Sequence, residues 1–443
     1  MSADPLELAQ RAVALAAACG ADQSEATMIV SDAFSSEARG EKITKLQQSV
    51  GRSLSLRAFV GGRKATLGTT DLTPEGLEAL VARCVEAARS VEHDPLGALP
   101  DPEPIGASGD LRLIEDDVRG RGEDEKLASA LEMEREMRAY DPRVDNSNGS
   151  RVADALTTVA LVNSLGFRGS YTASSASLSA SPVVRDGEEK RTAHFGASRR
   201  GYAQMPSPAE IARVAAKRAV DMCGARKPQT GVLPVIFERD VASIVLGDLF
   251  GACSGANVAI ENSFLAGRLG EKIGSDLVTI VDDGLLPGGM GTSPFDAEGV
   301  PTRKTAVFER GVLRSFLFDT YHARKLGTKS TGNAAGGTVG PNNFYLEPGT
   351  GTLEDLIART PRGIVVYDII GFATEHVTGT WSRGASGFMI EGGEIAYPID
   401  GFTIAGNLRE MLAAVDAVAG DVIFESPIVS PSFRVAGMTV SGT

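Results

Sequence analysis

The alternation of apolar and polar positions divides the chain into three textures. Residues 4–19 carry apolar side chains at helical spacing and predict an amphipathic helix. From Ser24 to Asp71 the pattern changes to alternation along several strands, with Gly61 and Gly62 supplying a hairpin turn. Thr73 as N-cap and Pro74 at the first helical position then predict a helix running to about Val91. The stretch that follows, 93–110, is rich in Pro, Gly and acid and is the best linker candidate.

A second block opens with the helical stretch "DEKLASALEMEREMRAY" and continues as a long alternating strand pair that bends at "NSLG". Ser207, Pro208 and Glu210 predict a capping box for a helix ending at Gly224. A second linker, "ARKPQTG", leads to a third texture of short strands separated by glycines. In it, helices are expected only at "DVASIVLGDLFGAC", capped by Asp240, at "FDTYHARKLG" and at "TIAGNLREMLAAVDAVAG". The fold class is therefore α+β. The expected organisation is an N-terminal α/β block over 1–92, a linker over 93–110, a middle α+β block over 111–225, and a large, mainly antiparallel β domain over 231–443.

Composition narrows the function. The chain has 443 residues, 51 of them glycine, and a net charge of −13 with the acids spread along it. Phosphate neutralisation needs a concentrated basic face, so nucleic acid is not an expected partner. The N-terminus carries acids where a signal peptide needs a basic region. Its longest apolar run, "AVALAAAC", is far short of the roughly 20 residues of a membrane span, so a cytoplasmic protein without a membrane partner is expected. Cys19, Cys84, Cys223 and Cys253 form no CxxC pair and read as reduced thiols.

Candidate chemistry is sparse. The Gly-rich stretch 329–343, "KSTGNAAGGTVGPNN", is not a phosphate loop: Lys329 follows Thr328 rather than Gly, and a helix rather than a strand precedes it. The four histidines, His93, His194, His322 and His376, include no pair at i, i+4 and no Cys partner at metal-ligand spacing. His376 stands out, because hydroxyls and the only tryptophan surround it. Ser254 has no visible base partner, and "GASGF" lacks the nucleophile-elbow spacing. What remains are glycine- and hydroxyl-rich loops on a β domain. They suit either turn hydrogen bonding or an extended peptide laid along a sheet edge.

"SFLAGRLGEKIGSDLVTIVDDG", "KSTGNAAGG", "GASGFMIEGGEIAYPIDGFTIAGN", the terminal "VAGMTVSGT" and, in the middle block, "NSLGFRG" together resemble the TldD/PmbA family, the so-called modulators of DNA gyrase. The family has a metallopeptidase branch with His-Glu-x-x-x-His on a helix upstream of the "GRxGE" segment and a Cys near the C-terminus. Counting back from Gly267–Glu271 sets those positions at Leu246, Gly247 and Gly251, and no cysteine follows Cys253. The chain thus resembles the PmbA (TldE-like) branch, which lacks the zinc motif.

The resemblance implies a chain with no catalytic residue and no cofactor of its own. It would pair with a TldD-like catalytic subunit, which would hold the zinc, in a heterodimer or higher assembly, with a homodimer when that partner is absent. The pair would be a cytoplasmic zinc peptidase acting on unfolded peptides or leader segments, and the extended peptide would be held as an added strand. Thr331, Gly332, Asn333, His376, Thr378 and Ser382 are the candidates for lining the peptide cleft, each with turn hydrogen bonding as the competing role. Arg268 and Glu271 could equally form a structural ion pair. The alternatives are an independent hydrolase with an unrecognised site, and a regulatory protein binding DNA gyrase.

Overall fold

The computed structural model describes residues 4–106, 109–371 and 374–443. Two residues of the 93–110 stretch and the first three of the chain lie outside the described residues. The N-terminal half opens with α1 (Pro5–Ala18), β1 (Gln23–Arg39), β2 (Lys42–Val60), β3 (Arg63–Thr69) and α2 (Pro74–Ser90). It continues with α3 (Asp117–Gly120), α4 (Glu123–Tyr140), β4 (Val144–Asn163), β5 (Arg168–Asp186), β6 (Glu189–Thr192), β7 (Phe195–Arg199) and α5 (Pro208–Asp221). Helix starts follow the local chemistry: the side chains of Asp4, Thr73 and Ser207 accept the amides of Leu6, Gly76 and Glu210.

All seven strands share one antiparallel sheet in the order β3-β2-β1-β4-β5-β6, with β7 also on β5. β1 pairs with β4 from Glu25 opposite Asn163 to Ala38 opposite Ser150. The blocks before and after the 93–110 stretch are therefore joined by main-chain bonds. Ala26, Met28 and Ala38 lie on one face of β1; α1 and α2 cover one end of that face, and α4 and α5 the other.

The C-terminal half begins with β8 (Gly231–Phe237), α6 (Arg239–Cys253), α7 (Gly255–Val258), β9 (Ile280–Asp283), β10 (Lys304–Glu309), β11 (Val312–Leu313), α8 (Thr320–Lys325) and β12 (Phe344–Leu346). After α9 (Leu353–Ala358) come β13 (Arg362–Ile370), β14 (Thr374–Glu375), β15 (Thr380–Glu391), β16 (Glu394–Asn407), α10 (Leu408–Ala413), β17 (Val415–Val418), β18 (Ile428–Val429) and β19 (Phe433–Ser441). The strands β13-β8-β19-β16-β15 close into a barrel because β15 also pairs with β13. Gly387 permits that closure, since a Cβ there would overlap the Val365 carbonyl. A second sheet runs β11-β10-β9-β12-β18. Among the strands of the described residues only β8–β13 and β12–β18 pair in parallel, so the α+β class with a mainly antiparallel C-terminal half holds.

Three local expectations are corrected. The stretch 403–420 is the end of β16, the single helical turns of α10 and then β17, because barrel pairing of Thr403 with Ser441 overrides its helix-like spacing. The cap of α6 is Glu238, whose carboxylate accepts the Asp240 amide at 2.9 Å. The helix at 318–327 is shortened to Thr320–Lys325 by the Asp319 cap. Among the described residues no helix is long and apolar enough to cross a membrane.

Arginines join the two halves. Arg57 on β2 bonds Glu25 at 2.9 Å and reaches Glu298 at 3.0 Å. Arg200 donates to the carbonyls of Gly289 and Met290, and Arg324 to those of Ala98 and Leu99. Arg191 pairs with Asp400 and Arg199 with Glu425. Phe295 completes the join, its ring edge-on to Phe167 and Tyr171 at 5.1 and 5.2 Å.

Burial pushes Glu25 from its ordinary value of 4.5 to about 7 against the pull of Arg57, with Glu298 and Asp296 adding to the rise. Asp296 is likewise raised by burial to about 7. The unfolded chain releases both protons at ordinary carboxylate values, so from there up to about pH 7 the folded state binds more protons, and stability falls as pH rises. The thermal midpoint is expected to be higher near pH 5 than near pH 8, with Glu25→Gln shrinking the difference. Equal midpoints in the native chain, or an unchanged difference in the variant, would contradict this assignment.

Candidate functional site

The principal cleft lies between the halves. One cavity of about 680 Å³ is walled by β5 and β7 (Ser177, Phe195 to Ser198), by Asp240 and Ile244 of α6, and by Asp368 and Ser386 of the barrel. A second, of about 750 Å³, continues along α5 towards Phe388 and Tyr397. Arg218, Met222 and Tyr367 line both, so the two form one trough. β7 pairs only with β5, and among the described residues no strand covers its other edge. Edge groups of this kind are free to bond an extended chain.

The centre of the trough is ionic. Arg218 donates to Asp240 at 2.8 Å, reaches Glu238 at 3.4 Å and lies 4.8 Å over the Phe195 ring. Burial raises Glu238 to about 7, helped by the charge of Asp240 and opposed by Arg218. Burial depresses His194, and Arg218 acts in the same direction; its Nδ1 sits 3.0 Å from the Ser181 hydroxyl. The arrangement can hold a polar main chain and neutral or charged side chains. The Ser181–His194 contact sets a hydroxyl beside an imidazole, but among the described residues no carboxylate bonds the ring to complete a triad.

The trough walls include none of Thr331, Gly332, Asn333, His376, Thr378 and Ser382. The first three are bonded inward. Thr331 Oγ1 accepts the Phe318 amide at 2.7 Å and donates to Asn333 Oδ1 at 2.6 Å. Asn333, 2% exposed, donates to Asp282 at 2.7 Å, and Asn342 gives the same carboxylate two more bonds. Gly332 has φ +77, and a Cβ would stand 2.6 Å from the Pro301 carbonyl oxygen. Thr378 bonds Thr380 at 2.8 Å on the surface, and Ser382 is half-buried on β15 opposite Ala405. Arg268 and Glu271 form an ion pair at 3.0 Å.

His376 and Gly251 come together. A Cβ on Gly251 would stand 2.5 Å from His376 Cε1, so the imidazole occupies the space beside that glycine. The ring's Nδ1 is buried with no hydrogen-bond partner among the described residues. Leu246, on the same helix, is 5% exposed and faces Leu249, Val278 and Ile280. Gly247 lies beside Ile428. Zinc does not fit these positions: an alkyl group in an apolar setting and two glycines supply no donor. Among the described residues no cluster of three His, Cys, Asp or Glu side chains could hold a metal.

Sequence reasoning missed Asp248. It accepts Trp381 Nε1–H at 2.8 Å, and Arg383 Nη2 donates to both of its carboxylate oxygens at 2.7 Å, pinning α6 to β15. The available signal was an acid amid an apolar helix together with "TWSRG", but only the fold brings the two together.

A long sheet clamped to a closed barrel across a polar trough defines a two-part α+β architecture with known counterparts. Models of the PmbA/TldA metallopeptidase match residues 30–88 (domain 1), 116–222 (central domain) and 230–442 (C-terminal domain). The chain is 32% identical to a "Metalloprotease PmbA homolog" of Haemophilus influenzae over 97% of its length and 94% of that protein. It is 29% identical to the "Metalloprotease PmbA" of Escherichia coli O157:H7, covering 95% and 92%. A Bacteroides thetaiotaomicron crystal structure described as a modulator of DNA gyrase superposes with TM-score 0.93 at 29% identity, over 99% and 98% of the two chains. The chain belongs to the PmbA/TldD metallopeptidase family.

Two substitutions test the placements. Asn333→Ala removes one donor from buried Asp282 and is expected to cost about 1–3 kcal/mol in urea unfolding; an unchanged midpoint would return the residue to the surface. Gly251→Ala is expected to cost about 1–3 kcal/mol by overpacking, and much less in a His376→Ala background. Additive effects in that cycle would mean the imidazole does not sit on Gly251.

Proposed function

We propose that this chain is the non-catalytic subunit of a cytoplasmic zinc peptidase and that a TldD-like partner carries the metal. The observation that carries the reading is α6. The helix is kept, but the positions that the resemblance assigns to the zinc motif hold Leu246, Gly247 and Gly251, and His376 fills the space at the last. The family's metallopeptidase character then belongs to the assembly, and this chain supplies cleft wall and assembly contacts.

The substrate class is an unfolded or leader peptide. Support comes from the trough, which joins two adjoining cavities and is bordered by the uncovered edge of β7. Main-chain pairing to such an edge tolerates many sequences but excludes folded ones. Without the catalytic partner the chain associates with itself or remains alone.

The test is metal content and activity of the purified chain, alone and mixed with a TldD-like subunit from the same cells. Expected are far less than one zinc per chain, no hydrolysis of an unfolded peptide by the chain alone, and hydrolysis by the mixture. Stoichiometric zinc together with hydrolysis in the isolated chain would overturn the proposal.

A further inference from the structure

The sheet carries a second uncovered edge, far more exposed than that of β7. β1 pairs with β2 along almost its whole length, from Lys42 opposite Arg39 to Phe59 opposite Gln23. β3 covers only Leu54 to Val60 of β2. The outer edge of Lys42–Ser53 therefore has no strand on it among the described residues. At strand rise this edge is about 40 Å long, and about half of its amides and carbonyls point outward.

Three features distinguish this edge from a protected one. It contains no proline, and its only irregularity lies at the hairpin end, near Thr44. Every side chain from Thr44 to Arg52 is exposed, including Leu46 at 48% and Val50 at 64%. The segment carries Lys42, Lys45 and Arg52 and no acid, in a chain of net charge −13. On β1, Glu37 stands opposite Lys45, Asp32 opposite Val50 and Arg39 opposite Lys42.

We propose that Lys42–Ser53 is a docking edge for an acidic, extended segment of another protein, which adds to the sheet as a strand beside β2. Main-chain bonds would supply affinity, alternate apolar side chains of the partner would cover Leu46 and Val50 on one face, and its acids would meet Lys42 and Lys45 on the other. A second copy of this chain fits poorly. Antiparallel self-pairing would gather six cations and no acid along one ladder, and like charges across strands repel. Lysines can also guard an edge against any pairing, but that defence is undercut by leaving Leu46 and Val50 exposed on the same strand.

The inference stands apart from the peptidase reading, since it concerns a different edge and needs no metal. The probe is a capped, dye-labelled peptide of about twelve residues alternating Glu with Val or Thr, with a Lys-for-Glu counterpart as control. Expected are binding of the Glu peptide alone, weakening with salt, and slowed hydrogen exchange confined to Lys42–Ser53. The Lys42→Glu/Lys45→Glu double variant, at exposed positions and with an unchanged melting curve, should bind at least about tenfold more weakly. Absence of binding at low salt, protection elsewhere in the chain, or equal binding by the double variant would overturn the proposal. So would concentration-dependent self-association that protects the same amides, because it would assign the edge to a second copy.

Discussion

The position of Arg57 between Glu25 and Glu298 is the constraint on which the rest depends. A guanidinium largely withdrawn from water must keep its partners, and its fork can serve a carboxylate on each side. One of those carboxylates belongs to the long sheet and the other to the C-terminal half. The same device recurs at Arg191, Arg199, Arg200, Arg218 and Arg324, each reaching across the boundary to a carboxylate or a set of carbonyls. A boundary built from guanidinium forks is directional rather than merely sticky. It fixes the angle between sheet and barrel, and that angle leaves a polar trough where a hydrophobic interface would have closed.

The glycine-rich signature stretches fit the same logic. Asp282, fully buried, takes three bonds from Asn333 and Asn342, and burial raises it to about 6 despite them. Asp296 takes amides from Glu298, Val300 and Ala334. These carboxylates organise the loops that present Phe295 and Glu298 to the sheet. In the middle block, Asn163 accepts the amides of Leu165 and Phe167, turning the bend so that Phe167 meets Phe295. Gly169 leaves room for that ring, since a Cβ there would stand 2.7 Å from it. Motifs that look like ligand loops in sequence are thus the hydrogen-bonded frame behind the trough.

Local signals were legible where local chemistry decides. Thr73-Pro74 and Ser207-Pro208 open helices where the caps predict, and Gly61-Gly62 turn a hairpin. The closed barrel and the pairing of β1 with β4 were not legible, because a strand's partner leaves no mark in its own alternation. The helix-like run at 403–420 failed for the same reason: pairing with β19 decides both its first residues and its last. The trough was missed because its central groups, Arg218, Glu238, Asp240 and Tyr367, come from three separate elements without a shared motif. The resemblance identified the family, yet it directed attention to a signature loop, 331–333, whose side chains bond inward.

The packing of α6 also explains how the chain keeps its shape. α6 is held by Asp248 to Trp381 and Arg383, by Glu238 at its cap and by an apolar face that includes Leu246. None of these anchors needs a metal. Leu246 adds buried apolar surface where a histidine would need a partner for each ring nitrogen, and Gly251 lets His376 pack against the helix. Once that ring is seated, a larger side chain at 251 must first displace it. The helix is therefore fixed by apolar packing on one face and by a seated imidazole and an ion pair elsewhere, and each of these contacts constrains what positions 246, 248 and 251 can hold.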